Sequence, residues 1–189
     1  LKKIGKQAKT AASILSITNS EIKAKALIKS SENIIKNTEN IIKENKIDIE
    51  NAYSNKLSSA LIDRLTLDKE RILSIAGSLE EIAALPDPVG KILSEWERPN
   101  GLKIKKITVP IGVIGIIYES RPNVTADASA LSIKSGNAVI LRGGKDSFYS
   151  SSHIFKVLEE SFENMKLPKH SIQMIPVIER EAVDEMLKL

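Results

Sequence analysis

The period of the apolar positions changes twice along the chain and divides it into three stretches. From Lys2 to Leu85 the period is helical. Ile4, Ala8, Ala11 and Leu15 recur at steps of three and four, which predicts a first amphipathic helix. Asn19 or Ser20 offers an N-cap for a second run through Ile22, Ala26 and Leu27. Thr38 predicts the cap of a third helix, with Ile41, Ile42 and Ile49 inward and Glu and Lys outward. LSSALIDRLTL is a short amphipathic link. Asp68 then predicts the cap of a longer helix through Leu85, with Ile72, Ile75, Ala76, Leu79 and Ile82 on one side.

At Pro86-Asp87-Pro88-Val89-Gly90 two prolines and a glycine stop the helix. The next stretch alternates, and Pro99-Asn100-Gly101 interrupts it. An Asn-Gly pair between two alternating runs predicts a hairpin of Ile92 to Arg98 with Leu102 to Val109. Such a ribbon is marginal alone and needs something to lie against. Trp96, the single tryptophan, is placed either to pack within its own chain or to anchor a partner.

From Ile111 to Tyr118 the run is almost continuously apolar, as in a strand buried in the middle of a parallel sheet. Gly112 and Gly115 within it call for close approach, of a ligand or of a packed helix. The turn Glu119-Ser120-Arg121-Pro122-Asn123 follows, then a helix of small residues with Pro122 in its first turn. Gly136 and Asn137 end that helix. Ala138 to Leu141 form a second parallel strand, and Arg142-Gly143-Gly144-Lys145 follow at its carboxyl end. A helix is expected from Ser147 to Lys166 with Ile154, Phe155, Leu158 and Phe162 inward, then a third strand from Ile172 to Val177. A final helix should start at Glu179. Strand, helix, strand in this order is a βαβ unit, whose ligands sit at the carboxyl ends of the strands.

Composition narrows the chemistry. Hydrophobic residues at 42% and charged residues at 28% suit a soluble globular protein. No stretch reaches the roughly 18 consecutive apolar residues of a membrane span. The N-terminus lacks the apolar core and cleavage site of a signal peptide, so a cytoplasmic location is expected. The net charge of +4 comes from lysines interleaved with glutamates, and aromatics are only 4%, so no nucleic-acid surface is expected. There is no cysteine and there are two histidines, His153 and His170. That excludes a cysteine nucleophile within the chain and leaves little for a metal site or a serine triad. The chain begins with Leu and stops inside a helical pattern, EAVDEMLKL, so both ends read as cut.

No GxGxxG turn follows the first strand, and the P-loop pattern fails at Val139 and Asp146. What remains is position. The end of the second strand, where an acidic residue selects NAD and an arginine NADP, carries Arg142 and Lys145. They are either a clamp for a 2′-phosphate or two surface cations after a glycine turn. Arg121 and Asn123, at the end of the first strand, suit an anionic substrate group or an oxyanion.

The runs PIGVIGIIYESRPNVTADASALSIKSGNAVILRGGK, ALPDPVGKILSEWERPNGLKIKKITVP and LSSALIDRLTLDKERI closely resemble the γ-glutamyl phosphate reductase family of the aldehyde dehydrogenase superfamily. The resemblance spans essentially the whole chain, in order. It implies an α/β fold: a helical region over 1–90, a protruding hairpin or oligomerisation arm over 91–109, and a Rossmann-like βαβ cofactor-binding part over 110–189. It also implies NADPH-dependent reduction of L-glutamyl 5-phosphate to glutamate 5-semialdehyde with phosphate release, in proline biosynthesis. In that mechanism a cysteine attacks the acyl carbon and the resulting thioester takes hydride from the nicotinamide. By resemblance Ile117, Tyr118 and Glu119 lie along the cofactor, and Arg142, Gly143, Gly144 and Lys145 hold its adenosine ribose. Asn123 resembles the oxyanion asparagine, with Arg121 competing for that position. Relatives are longer and keep their cysteine in a later catalytic domain. The expectation is therefore an N-terminal portion that is inactive alone and homo-oligomeric at full length. A stand-alone nucleotide-binding or decoy subunit, pairing with a complete enzyme through the hairpin, is the alternative. A generic aldehyde dehydrogenase fragment is disfavoured, because RPNV and LRGGK replace the usual turns.

Overall fold

The computed structural model describes residues 1–177 and 181–188. Five helices come first: α1 (Lys2–Leu15), α2 (Ser20–Lys36), α3 (Thr38–Ser54), α4 (Ser59–Leu65) and α5 (Lys69–Ala84). Two caps are those the sequence predicts. Asn19 accepts from the Glu21 amide at 2.7 Å, and Asp68 from the Arg71 amide at 2.8 Å. Thr38 is different: it is the first residue of α3, and its hydroxyl donates back to Ile35 O at 2.7 Å. Asn37 takes the cap position, because the break between α2 and α3 is a single residue and leaves Thr38 already helical.

The hairpin pairs β1 (Ile92–Glu97) antiparallel with β2 (Lys103–Ile107). Its base is closed by Gly90 N to Thr108 O at 2.9 Å and Lys91 N to Thr108 Oγ1 at 2.9 Å. Every residue of β1 is exposed, including Leu93 and Trp96. The ribbon therefore leaves the body of the chain with both faces uncovered.

The sheet is parallel, in the order β3 (Val113–Ile117), β4 (Ala138–Arg142), β5 (Ile172–Met174). The crossovers are α6 (Pro122–Lys134) and α7 (Phe148–Asn164), the latter preceded by a 3₁₀ turn at Lys145–Ser147. The sequence expectation for β3 is corrected here. Within the described residues β3 is an edge strand, half-exposed along its length, and β4 is the buried central one. Apolarity on both faces cannot tell a central strand from one whose outer edge is free. Gly115 has a packing reason: a Cβ there would meet Met186 Cε of α8 (Glu181–Met186) at 2.7 Å. Gly112 has a conformational one, with φ of +119° at the entry to the strand. The helix expected from Glu179 is observed from Glu181; Glu179 and Arg180 lie outside the described residues.

One hydrophobic core runs through helices and sheet, from Leu15, Leu27, Ile34 and Ile72 to Leu141, Ile154 and Phe162. Two polar ties fix how its layers meet. Asp87 in the proline elbow accepts from Lys23 Nζ at 2.7 Å and from Val89 N at 2.8 Å, and Lys23 is only 1% exposed. Asp48 of α3, also 1% exposed, accepts from the amides of Tyr149 and Ser150 at 3.1 and 2.8 Å and from the Ser150 hydroxyl. It thus satisfies the first-turn donors of α7 from another helix.

Candidate functional site

The candidate residues gather where β3 and β4 end. The β3–β4 ladder continues for one residue, with Tyr118 N donating to Arg142 O at 3.1 Å. The chain then turns sharply, Arg121 N reaching Glu119 O at 2.7 Å, and Pro122 opens α6 with Arg121 extended at its N-cap. Proline is suited to this place because it has no amide hydrogen and a helical φ. Tyr118 turns inward. Its hydroxyl shares a 2.8 Å hydrogen bond with Thr125 Oγ1, and burial holds its phenol above the ordinary tyrosine range.

Gly143 and Gly144 are small for a reason internal to the chain. A Cβ on Gly143 would sit 3.0 Å from the Tyr118 phenol oxygen, and one on Gly144 would sit 2.7 Å from Ser120 N. The two strand-end loops are cross-linked as well. Ser120 Oγ donates to Asp146 Oδ2 at 3.2 Å and accepts from Asp146 N at 3.3 Å. The cations surround this seam. Arg142 Nη1 donates to Gly143 O at 2.7 Å, Lys145 is exposed at the start of the 3₁₀ turn, and Arg121 lies 3.6 Å from the Glu119 carboxylate, both exposed.

Two clefts flank the strand ends. One, of about 420 Å³, lies beyond β4 and β5 and is lined by Lys145, Asp146, Tyr149, Val177, Asp48 and Asn51. The other, of about 290 Å³, lies between α5 and the first turns of α6, with Arg71, Ser74, Ser78, Asn123 and Asp127 in its wall. A further cleft, of about 780 Å³, lies between α1 and β3, and none of the candidate residues is among those lining it. Lys145 and Asn123 thus face different clefts. Arg121 and Asn123 also diverge: Arg121 turns to Glu119, whereas the Asn123 amide donates to Asp127 Oδ2 at 3.2 Å.

The residues that sequence reasoning passed over are Asp48, Asp127 and Asp146. Asp48 reads like any acid on a Lys/Glu-rich helix. Asp127 did carry a signal, because it is the one acid in a helix of small residues and stands one turn beyond Asn123. A dinucleotide fits this donor set in charge and position. Two cations stand at the end of β4, and a cleft runs on to the end of β5, where such ligands lie in open α/β sheets.

The parallel sheet with crossover helices, the helical layer and the protruding hairpin match part of the aldehyde dehydrogenase fold. A probable aldehyde dehydrogenase from Listeria monocytogenes superposes with a TM-score of 0.73 over 100% of this chain and 39% of that one; at 14% identity the likeness is one of fold alone. The particular relatives are closer. The crystal structure of γ-glutamyl phosphate reductase from Thermotoga maritima matches with a TM-score of 0.96 at 37% identity, over 98% of this chain and 45% of that one. In sequence, γ-glutamyl phosphate reductase from Brucella suis is 51% identical over 185 residues, 98% of this chain and 44% of the relative. The chain is homologous to γ-glutamyl phosphate reductases over nearly its whole length, and spans less than half the length of the curated relatives it matches. A scan against models of protein families finds no match.

Proposed function

We propose that the polypeptide carrying this chain reduces L-glutamyl 5-phosphate with NADPH and a proton, giving glutamate 5-semialdehyde, phosphate and NADP, as a step of proline biosynthesis in the cytoplasm. The observation that carries the reading is 51% identity to γ-glutamyl phosphate reductase across 98% of the chain. This chain supplies a half-site. Arg142 and Lys145 hold the adenosine 2′-phosphate, the guanidinium as a fork and the ammonium as a point charge. Ile117, Tyr118 and Glu119 border the cofactor. When bound, the nicotinamide supplies the hydride. Arg121 attracts the acyl phosphate, and Asn123 is the candidate donor to an oxyanion. The chain has no cysteine, so a nucleophile must come from elsewhere in the polypeptide, and the 189 residues alone are inactive. The exposed hairpin pairs copies of the full-length protein.

The test runs the reaction in reverse. Full-length polypeptide is supplied with glutamate 5-semialdehyde, phosphate and either NADP or NAD, and reduced cofactor is followed by absorbance. The reading requires phosphate-dependent turnover with NADP preferred. Turnover that is indifferent to phosphate would overturn it.

A further inference from the structure

We propose that the cleft between α5 and α6 recognises the amino-acid end of the substrate, with Asp127 holding its α-ammonium group. The proposal rests on the function proposed above and extends it to a specificity-determining residue.

Asp127 is half-buried in the wall of this cleft. Burial raises its carboxyl pKa, and the one group that opposes the rise is the neutral amide of Asn123. Among the described residues no ion pair reaches it. A carboxylate placed so is short of a positive charge, and a ligand ammonium would supply it. The Asn123 bond occupies one of about four acceptor positions on an ionised carboxylate. The helix dipole does not account for Asp127, because its effect fades within the first turn and Asp127 lies beyond that turn.

The opposite wall carries Arg71 and Arg64, with Asp63 paired to Arg71. Arg71 is held in place by Asp63 Oδ1 at 2.8 Å, by Thr66 O at 2.9 Å and by the Asp63 carbonyl. Ser74 and Ser78 stand beside it on α5. A cation fixed by the backbone, two hydroxyls and an uncompensated carboxylate in one cleft suit the α-carboxylate and α-ammonium of an amino acid.

The experiment compares two aldehydes on the full-length enzyme in the phosphate-dependent reverse reaction: glutamate 5-semialdehyde and its des-amino analogue, 5-oxopentanoate. Wild type should prefer the amino substrate. Asp127→Asn should lower kcat/KM for it by about 10- to 100-fold, mainly through KM, and remove the preference. An equal fall for both aldehydes, or no fall for either, would overturn the proposal. If Asp127→Asn does not fold, Asp127→Glu carries the test. Its displaced carboxylate should narrow the preference, and a preference left unchanged overturns the proposal. Wild type inactive on both aldehydes would instead remove the underlying function, a failure distinct from lost discrimination.

Discussion

Gly144 and Ser120 touch so closely that a methyl group at position 144 would stand 2.7 Å from the Ser120 backbone nitrogen, and closer still to its hydroxyl. The backbone of Gly144 is ordinary, with φ of −66° and ψ of 154°, so the glycine is needed for space alone. This contact locks the loop after β3 to the loop after β4. Gly144→Ala should therefore cost about 1–3 kcal/mol through overpacking. Gly77, inside α5 with nothing within 4 Å of a built Cβ, makes the control, and Gly77→Ala should gain about 0.5–1 kcal/mol. Thermal unfolding should show Tm shifts of opposite sign.

Asp48 and Asp87 should respond to pH in opposite directions. Burial raises the Asp48 carboxyl above its ordinary value in spite of its bonds from Ser150 and Tyr149. Its contribution to stability is thus full below the ordinary aspartate range and is lost as pH rises through the raised folded value. For Asp87 burial also pushes upward, but the hydrogen bonds from Lys23, Val89 and Ser20 prevail and hold it low. Its contribution is present above the ordinary range and is lost as pH falls through the lowered folded value. Urea unfolding at pH 7 and pH 4 should show the cost of Asp48→Asn growing on acidification and that of Asp87→Asn shrinking. Lys23→Met, which strands the Asp87 carboxylate, should cost about 3 kcal/mol at neutral pH.

The two cationic strand ends should separate by ligand. In the full-length enzyme Arg142→Ala should weaken NADPH binding about tenfold or more while sparing NADH. Arg121→Ala should raise KM for the phosphorylated substrate and leave both cofactors unaffected. Isothermal titration of each cofactor, with steady-state kinetics beside it, measures both. Equal losses of NADPH and NADH would remove the 2′-phosphate role from Arg142.

Because Thr108 closes the base of the hairpin, the ribbon can be removed without opening the core. Replacing 92–107 by a short Gly-Ser turn in the full-length protein should leave the unfolding midpoint of the subunit nearly unchanged and lower the mass in sedimentation equilibrium. Trp96→Glu should act the same way, more weakly.

The fold was legible wherever a local pattern has one physical cause. Period 3.6 located α1, α2, α5 and α7, and the Asn-Gly turn located the hairpin. Asp68 announced its helix because a cap is a local event. Edge or centre was not legible for β3, since that depends on which strand lies beside it. The site was legible only as a position. Arg142 and Lys145 follow from the order of strand, turn and strand, but nothing local says that Lys145 and Asn123 open into different clefts. Asp48 was hidden for the same reason: its partners are more than a hundred residues away, and only the packing of α3 against α7 brings them together.

That distance also orders events in time. The first turn of α7 is completed by a group from a helix 102 residues earlier, so it closes only after a long loop has closed. During synthesis α3 emerges well before α7 and can wait as a template for it. The expected signature in pulse-labelled hydrogen exchange is that the Tyr149 and Ser150 amides gain protection after those of α3. Asp48→Ala should delay them while leaving the hairpin amides on their own schedule.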